Sequence, residues 1–411
     1  MNDLKWAEAE FHIVLDEKKQ QIYNIRIIRE RGVAMNFDKL TAYIDTLQEQ
    51  GVPSGDLIVY KDHKMIYRHM SGYRDQAMSV PLTGKETYSI YSCSKVMTTC
   101  AAMQLIEQGK LQLDEKVGTY IPAFKNITVK AENGAVSPAA KLTVRFLMSM
   151  QGGLDYDLNA PCILEANKAH DGKATTREIV EALAQKPLQF EPGTDFMYSL
   201  CHDVLAAVIE VVSGKRFSTY LKENIWDKIG LEHTGFEFTP YVFENQCAQW
   251  WSEGSDKPHR YLETDDLVYK LSPNYESGGA GIITTTEDYA KFADAIACDG
   301  MTINGISILR PETIKLWSTP QLCEKAKHTF DTWCRFGYSY GLGVRTRVDT
   351  SIGRKGPIGE FGWDGAAGAY TFIDPVNHLS CFFAMHVRNF GYCYEHIHPT
   401  LQTLIYEGIE Q

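Results

Sequence analysis

The apolar and polar positions divide the chain into strand-bearing ends and a helix-bearing middle. Leu57-Ile58-Val59-Tyr60 and Met65-Ile66-Tyr67 are short runs rich in β-branched and aromatic residues. The polar turn Lys61–Lys64 between them predicts a hairpin over 56–72. Val96, Cys100, Met103 and Ile106 then recur at helical spacing. They predict a helix from Ser92 to about Gln108, with Gly109 where a C-cap glycine belongs. Other helices are predicted at Phe37–Glu49, ended by Gly51, at Cys201–Val212, closed by Ser213-Gly214, at Asp288–Ala297, and after Pro399. The last third returns to strand character at Leu342–Val348, Gly368–Ile373 and Leu379–Val387. Asp374-Pro375-Val376-Asn377-His378 forms the turn between the last two.

Strands at both ends around helices predict an α/β (α+β) fold. One domain, residues 35–110 plus 271–411, is built from both chain ends, and 111–270 is an inserted all-helical region. Residues 1–34 fit this plan poorly. Phe11–Leu15 and Ile22–Ile28, around the polar Asp16–Gln21, can pair as a hairpin. The segment reads either as an extension packed on the core or as sequence ahead of a natural start at Met35.

At 411 residues the chain can bury a substantial core. Its net charge of −11 argues against nucleic acid or an anionic membrane as partner. No apolar run reaches the roughly 18–20 residues of a membrane-spanning helix, and Met1–Glu10 leads into no signal-type apolar core. Ten cysteines are scattered from Cys93 to Cys393 with no C-x-x-C pair and no zinc-site spacing. Reduced core thiols in a cytoplasmic protein are the expectation. His396-Ile397-His398 reads as structural, so neither a metal nor a cofactor is expected.

Ser92-Cys93-Ser94-Lys95 carries the candidate chemistry. A serine hydroxyl is a weak nucleophile until a base takes its proton. Three residues apart on a helix, the two side chains share a face. The positive end of the helix dipole favours a developing oxyanion and disfavours a protonated lysine. Alone, the pattern is weak and more often describes an N-cap serine and a surface lysine.

The surroundings change the balance. Thr87-Tyr88-Ser89-Ile90-Tyr91 precedes Ser92, and Gly109-Lys110-Leu111-Gln112-Leu113-Asp114-Glu115-Lys116-Val117 follows the helix. Then come Leu142–Leu154, Pro192-Gly193 to Tyr198-Ser199, Ser277–Asp288, and Gly362-Trp363-Asp364-Gly365-Ala366-Ala367-Gly368. In this order and spacing the set resembles the serine β-lactamase and penicillin-binding-protein-like superfamily, in its class C-related, esterase-like branch. The resemblance runs from about residue 37 to 405.

That resemblance implies an antiparallel sheet flanked by helices. It also implies Ser92 as nucleophile, Lys95 and Tyr198 as the groups exchanging its proton, and an oxyanion hole from the backbone N–H groups of Ser92 and Ala366. Which of Lys95 and Tyr198 is the base stays open, since both have reference pKa values near roughly 10.

Two departures bear on the substrate. Tyr198-Ser199-Leu200 stands where lactamases and D-peptidases usually have Tyr-x-Asn, and leucine cannot hydrogen-bond a substrate amide. Trp363-Asp364-Gly365 replaces the third-motif cation. Leu200, Trp363, Asp364 and Gly365 are therefore the expected substrate-facing positions. The expected function is a serine hydrolase acting on a small-molecule ester or amide, carboxylesterase-like. The alternatives are a D-amino-acid peptidase or weak β-lactamase, and an acylated sensor that does not turn over.

Gly337-Tyr338-Ser339-Tyr340-Gly341 has the letters of a G-x-S-x-G elbow, but the sequence after it alternates like a strand, not a helix. Gly278-Gly279-Ala280-Gly281 reads as a turn with no P-loop lysine. The aromatics Tyr241, Phe243, Trp250, Trp251 and Tyr261 are assigned to the core or to a wall of the acyl pocket.

Overall fold

A computed structural model of the chain describes residues 29–30, 33–131, 133–254, 259–263, 269–333 and 336–410. The hairpin expected at Phe11–Ile28 lies outside them.

A seven-stranded, wholly antiparallel sheet organises the molecule. Its strands are β1 (Ser54–Lys61), β2 (Lys64–Gly72), β3 (Tyr338–Tyr340), β4 (Arg345–Arg347), β5 (Phe361–Asp364), β6 (Tyr370–Asp374) and β7 (Leu379–Ala384). The order across the sheet is β3-β4-β5-β6-β7-β1-β2, so the early hairpin is added to the edge of a sheet made by the last third. In the β7–β1 pair, Cys381 faces Val59 and Phe382 faces Ile58.

Both faces of this sheet are covered, which is why its strands read as nearly continuous apolar runs. Ile58, Phe382 and Ile373 point into one core. Their neighbours Leu57, Val59, Cys381, Phe383 and Phe372 point into the other. The second core is closed by α1 (Asp38–Asp45) and by α5 (His398–Ile409). The first is closed by α2 (Ser94–Glu107), α3 (Cys201–Ser213) and α4 (Thr286–Ala297).

Helix α2 differs from its expected amphipathic form. Every residue from Ser94 to Leu105 is buried, polar ones included, while Ile106 is only half-buried. It is a central helix with neighbours on every side, so an apolar stripe could not describe it. Its end matches the sequence: Gly109 has φ +70°, and its N–H donates to the Ile106 carbonyl at 2.9 Å. Helix α4 starts two residues before the expected Asp288, because the Thr285 side chain caps it by accepting from Asp288 N–H.

Helices dominate residues 111–270, with two departures from an all-helical region. Thr128–Lys130 and Val136–Pro138 form a small strand pair. Gln249–Trp251 pairs with Arg260–Leu262 and, in parallel, with Val387–Arg388, which ties this stretch to the end of β7. The expected single strand Leu379–Val387 is broken there. Among the described residues, no helix is long and apolar enough to cross a membrane.

Candidate active site

Ser92 sits in the 3-10 turn Tyr91–Cys93 that leads into α2, at the junction of three segments distant in sequence. Tyr91 before it has φ +46°, a left-handed conformation that costs a bulky residue about 1 kcal/mol or more. Tertiary contacts hold it there. Its hydroxyl donates to Gln249 Oε1 at 2.7 Å, and the Arg388 guanidinium lies 5.4 Å from its ring centre.

Lys95, one turn on, is fully buried. Its Nζ lies 3.2 Å from Ser92 Oγ, 2.7 Å from the Gly279 carbonyl and 3.4 Å from Tyr156 Oη. Burial pushes its pKa down to about 7, with the carboxylate of Asp203 the largest effect in the other direction.

Tyr198 lies on the segment approaching α3. That segment is zipped to residues 150–155 by backbone hydrogen bonds, Met197 N–H to Met150 O at 3.0 Å and Leu200 N–H to Asp155 O at 3.1 Å. The zipper sets the Tyr156 ring 5.9 Å from the Tyr198 ring. The Tyr198 hydroxyl hydrogen-bonds the Ser92 side chain and accepts from Trp363 Nε1 at 2.8 Å, with the two rings stacked. Burial pushes its phenol pKa up, and the bonds to Ser92 and Trp363 offset only part of that. Lys95 is thus the group that can be neutral near pH 7, while Tyr198 stays a protonated phenol beside it.

The third motif divides across the sheet. Trp363 faces Ser92's side and Tyr198. Asp364, next along β5, points to the opposite face as strand alternation requires. There it meets Arg345 Nη1 at 3.4 Å and His398 Nδ1 at 3.2 Å, both partners fully buried. The expectation that Asp364 faces substrate is therefore corrected: its carboxylate belongs to a charge cluster under the sheet. Leu200 is buried at the start of α3 among core residues. Gly365 packs so closely on the turn before Ser92 that a Cβ there would lie 2.3 Å from the Ile90 carbonyl. Ala366 follows, half-buried against Tyr91 and Tyr269.

The glycine turn does more than reverse the chain. The Gly278 carbonyl accepts from Thr98 at 2.6 Å and the Gly279 carbonyl from Lys95, so the turn docks on α2. A Cβ on Gly279 would lie 2.7 Å from Asp203 Oδ2, 3.2 Å from Tyr156 Oη and 3.3 Å from Lys95 Nζ. Only glycine lets those three groups converge. Tyr156 and Asp203 were missed from sequence, and Gly279 was read only as part of a turn. Tyr156 lies two residues beyond the quoted Leu142–Leu154 match, and no local pattern marks Asp203.

A cleft of about 430 Å³, counting the space open to solvent, adjoins the turn. Tyr91, Phe236, Phe238, Tyr269, Tyr275 and Ala280 line it. Of the aromatics assigned to the core or to a pocket wall, Trp250 packs in the second core, Tyr241 stacks on His233, and Phe243 and Tyr261 line a separate cleft beside Gln246 and Gln249. Ser339 is buried within β3, paired to Thr346, with no helix after it. His396 is exposed while His398 is buried on Asp364, so the two do not converge. One group of metal-ligand type exists among the described residues, His63, Asp294 and Cys298. Its members bond one another: His63 Nδ1 lies 2.8 Å from Asp294 Oδ2, and Cys298 Sγ lies 3.6 Å from Asp294 Oδ1.

A buried serine and lysine at the start of a central helix, a tyrosine from the inserted region and a wall from a late antiparallel strand thus converge on one candidate site. The Beta-lactamase family profile matches residues 39–391, and the chain belongs to that family. Among individual relatives, Protein Rv1367c of Mycobacterium tuberculosis is 26% identical over 355 residues, covering 83% of this chain and 88% of the relative. Acyltransferase calJ of Penicillium decumbens is 26% identical over 349 residues, covering 79% and 82%. Among solved structures, EstCE1, described as a hydrolase with promiscuous acyltransferase activity, superposes with a TM-score of 0.72 at 23% identity. The match spans 91% of this chain and 98% of that one.

Proposed function

We propose that the protein is an acyl-transferring serine hydrolase that cleaves small esters or neutral amides through an acyl-enzyme on Ser92. The observation that carries this reading is the buried Lys95 amine 3.2 Å from Ser92 Oγ, with its pKa brought down to about 7. In acylation, neutral Lys95 takes the Ser92 proton as Oγ bonds the substrate carbonyl carbon. The oxyanion is received by the Ser92 and Ala366 N–H groups. As the carbonyl re-forms, the bond to the leaving group breaks, and that group takes a proton from the Tyr198 hydroxyl, which Lys95 re-protonates. Water then repeats the sequence in reverse and frees the acid. Trp363, donating to the Tyr198 hydroxyl, fixes the phenol beside this pair, its ring centre 4.5 Å from Lys95 Nζ.

Leu200 in place of an amide and Trp363 in place of a cation speak against β-lactams and peptides ending in a carboxylate. The acyltransferase character of calJ and EstCE1 supports a second outcome of the same intermediate, transfer of the acyl group to an alcohol instead of water.

The purified chain is expected to turn over p-nitrophenyl acetate and butyrate, and Ser92→Ala to lower the rate by at least about 10³-fold. Activity that survives in Ser92→Ala overturns the assignment. Nitrocefin cleaved faster than the esters replaces esterase with lactamase. A stable mass adduct on Ser92 without product release points to a sensor. An ester product formed when an alcohol is added identifies the transferase outcome.

A further inference from the structure

We infer that Asp203 is a positioning residue: its carboxylate, held across Gly279 from Lys95, sets the protonation state of that amine and with it the pH range in which Ser92 can be acylated. This rests on the reading of Ser92 and Lys95 given above.

Asp203 is fully buried in the first turn of α3, where the helix dipole favours a negative charge. Its two oxygens are used unequally. Oδ1 accepts from Tyr275 Oη at 2.7 Å and from Ser277 Oγ at 2.6 Å. Oδ2 makes no hydrogen bond of normal geometry and faces Gly279. A tie between α3 and the 275–277 segment would need only Oδ1. The second oxygen has only the Gly279 backbone N–H beside it, a weak hold for a carboxylate oxygen in the interior, which is costly unless a charge compensates it.

That charge is Lys95. The Cβ position of Gly279 is 2.7 Å from Oδ2 and 3.3 Å from Nζ, so carboxylate and amine lie within about 6 Å. An opposite charge at that range favours the charged form of its neighbour. The other groups around Lys95 do not compete for this role. From its own helix come Ser92 and Cys93. From the 150s loop and the approach to α3 come Tyr156 and Tyr198. From α3 come Cys201 and His202, and from the glycine turn the Gly279 carbonyl. Burial pushes the thiols of Cys93 and Cys201 and the phenols of Tyr156, Tyr198 and Tyr275 upward, so all stay neutral. His202 is pushed well down by burial and by Lys95, so it too is uncharged near neutrality. Burial raises the Asp203 pKa as well, but the hydrogen bonds from Ser277 and Tyr275 and the charge of Lys95 act against that, so in this shell Asp203 is the group that can hold a formal negative charge. It opposes the burial that would otherwise drive Lys95 further toward its neutral form.

The sign follows. Acylation needs Lys95 unprotonated, so kcat/KM loses a base as pH falls through the Lys95 pKa. Removing the negative charge lowers that pKa and moves the acidic limb to lower pH. With p-nitrophenyl butyrate, the full-length enzyme should show an acidic limb near pH 7. Asp203→Asn should shift it down by about one unit or more, and Asp203→Glu should bring it back toward the wild type. Ser277→Ala, which loosens one hold on Oδ1 without touching the carboxylate, should shift it the same way by less, and it serves if the asparagine variant does not fold. A limb that stays in place in Asp203→Asn, or in Ser277→Ala where that variant stands in, overturns the inference, even where the rate falls at every pH. Turnover that survives in Ser92→Ala is a different failure and strikes the underlying reading instead.

Discussion

Replacing Trp363 by phenylalanine keeps a ring to stack on Tyr198 and removes the indole N–H that donates to the Tyr198 hydroxyl at 2.8 Å. We expect kcat for p-nitrophenyl butyrate to fall by about 10-fold or more, with KM and the melting temperature little changed, because what is lost is the aim of a phenol and not a packing contact. A fall in stability instead of kcat, measured by thermal melt alongside steady-state kinetics, would contradict the role given to this bond. Residues such as Ser92, Lys95 and Tyr198 were legible in the sequence because their chemistry is written in short local strings. Asp203 and Gly279 were not. Their proximity to Lys95 exists only after α2, α3 and the glycine turn have packed, and an aspartate in a helical first turn looks like ordinary dipole compensation.

At the scale of elements, β5 shows how period-two geometry can mislead a reading by motif. Trp363 and Asp364 are adjacent in the string but serve opposite faces of the sheet. Asp364 links β4 to α5 through Arg345 and His398, and Arg345 also donates to the Thr371 carbonyl at 2.9 Å. Asp364→Asn leaves the buried Arg345 guanidinium without its counter-charge. It should cost about 3–5 kcal/mol in a guanidinium unfolding titration while the ranking of ester substrates stays as in the wild type. An altered substrate ranking at unchanged stability would return Asp364 to the binding site. The sheet strands themselves were largely legible, since runs such as Leu57–Tyr60 and Leu379–Ala384 are apolar on both faces. The all-round burial of α2 was harder to foresee, because Ser94, Thr98, Thr99 and Gln104 read as a polar side until neighbours are found for them.

For the whole molecule, the scattered cysteines acquire a distribution. Of the nine described, Cys323 is exposed and Cys162 is half-buried, while the other seven are buried. Burial raises the thiol pKa at sites such as Cys100, Cys201 and Cys247, which disfavours the reactive thiolate there. Brief alkylation of the native protein, read by peptide mass spectrometry, should modify Cys323 first and Cys162 more slowly. The seven buried thiols should react only after denaturation. Early labelling of Cys93, next to Ser92, would mean that the start of α2 opens far more readily than its packing implies. The plan of the fold from both chain ends was legible in the sequence, because strand signals cluster there. The parallel pairing of Gln249–Trp251 with Val387–Arg388 was not, since three residues meeting a distant two-residue strand leave no pattern of their own.

The same two-ended plan has a consequence in time. Cys93, next to Ser92, touches the Trp363 backbone across a sequence separation of 270 residues. At translation speeds of about 5–20 residues per second, the serine leaves the ribosome roughly 15–50 seconds before the strand that completes its surroundings. Throughout that interval the growing polypeptide carries Ser92 without its wall. In a chain laid out in this order, the surroundings of Ser92 are completed only near the end of synthesis.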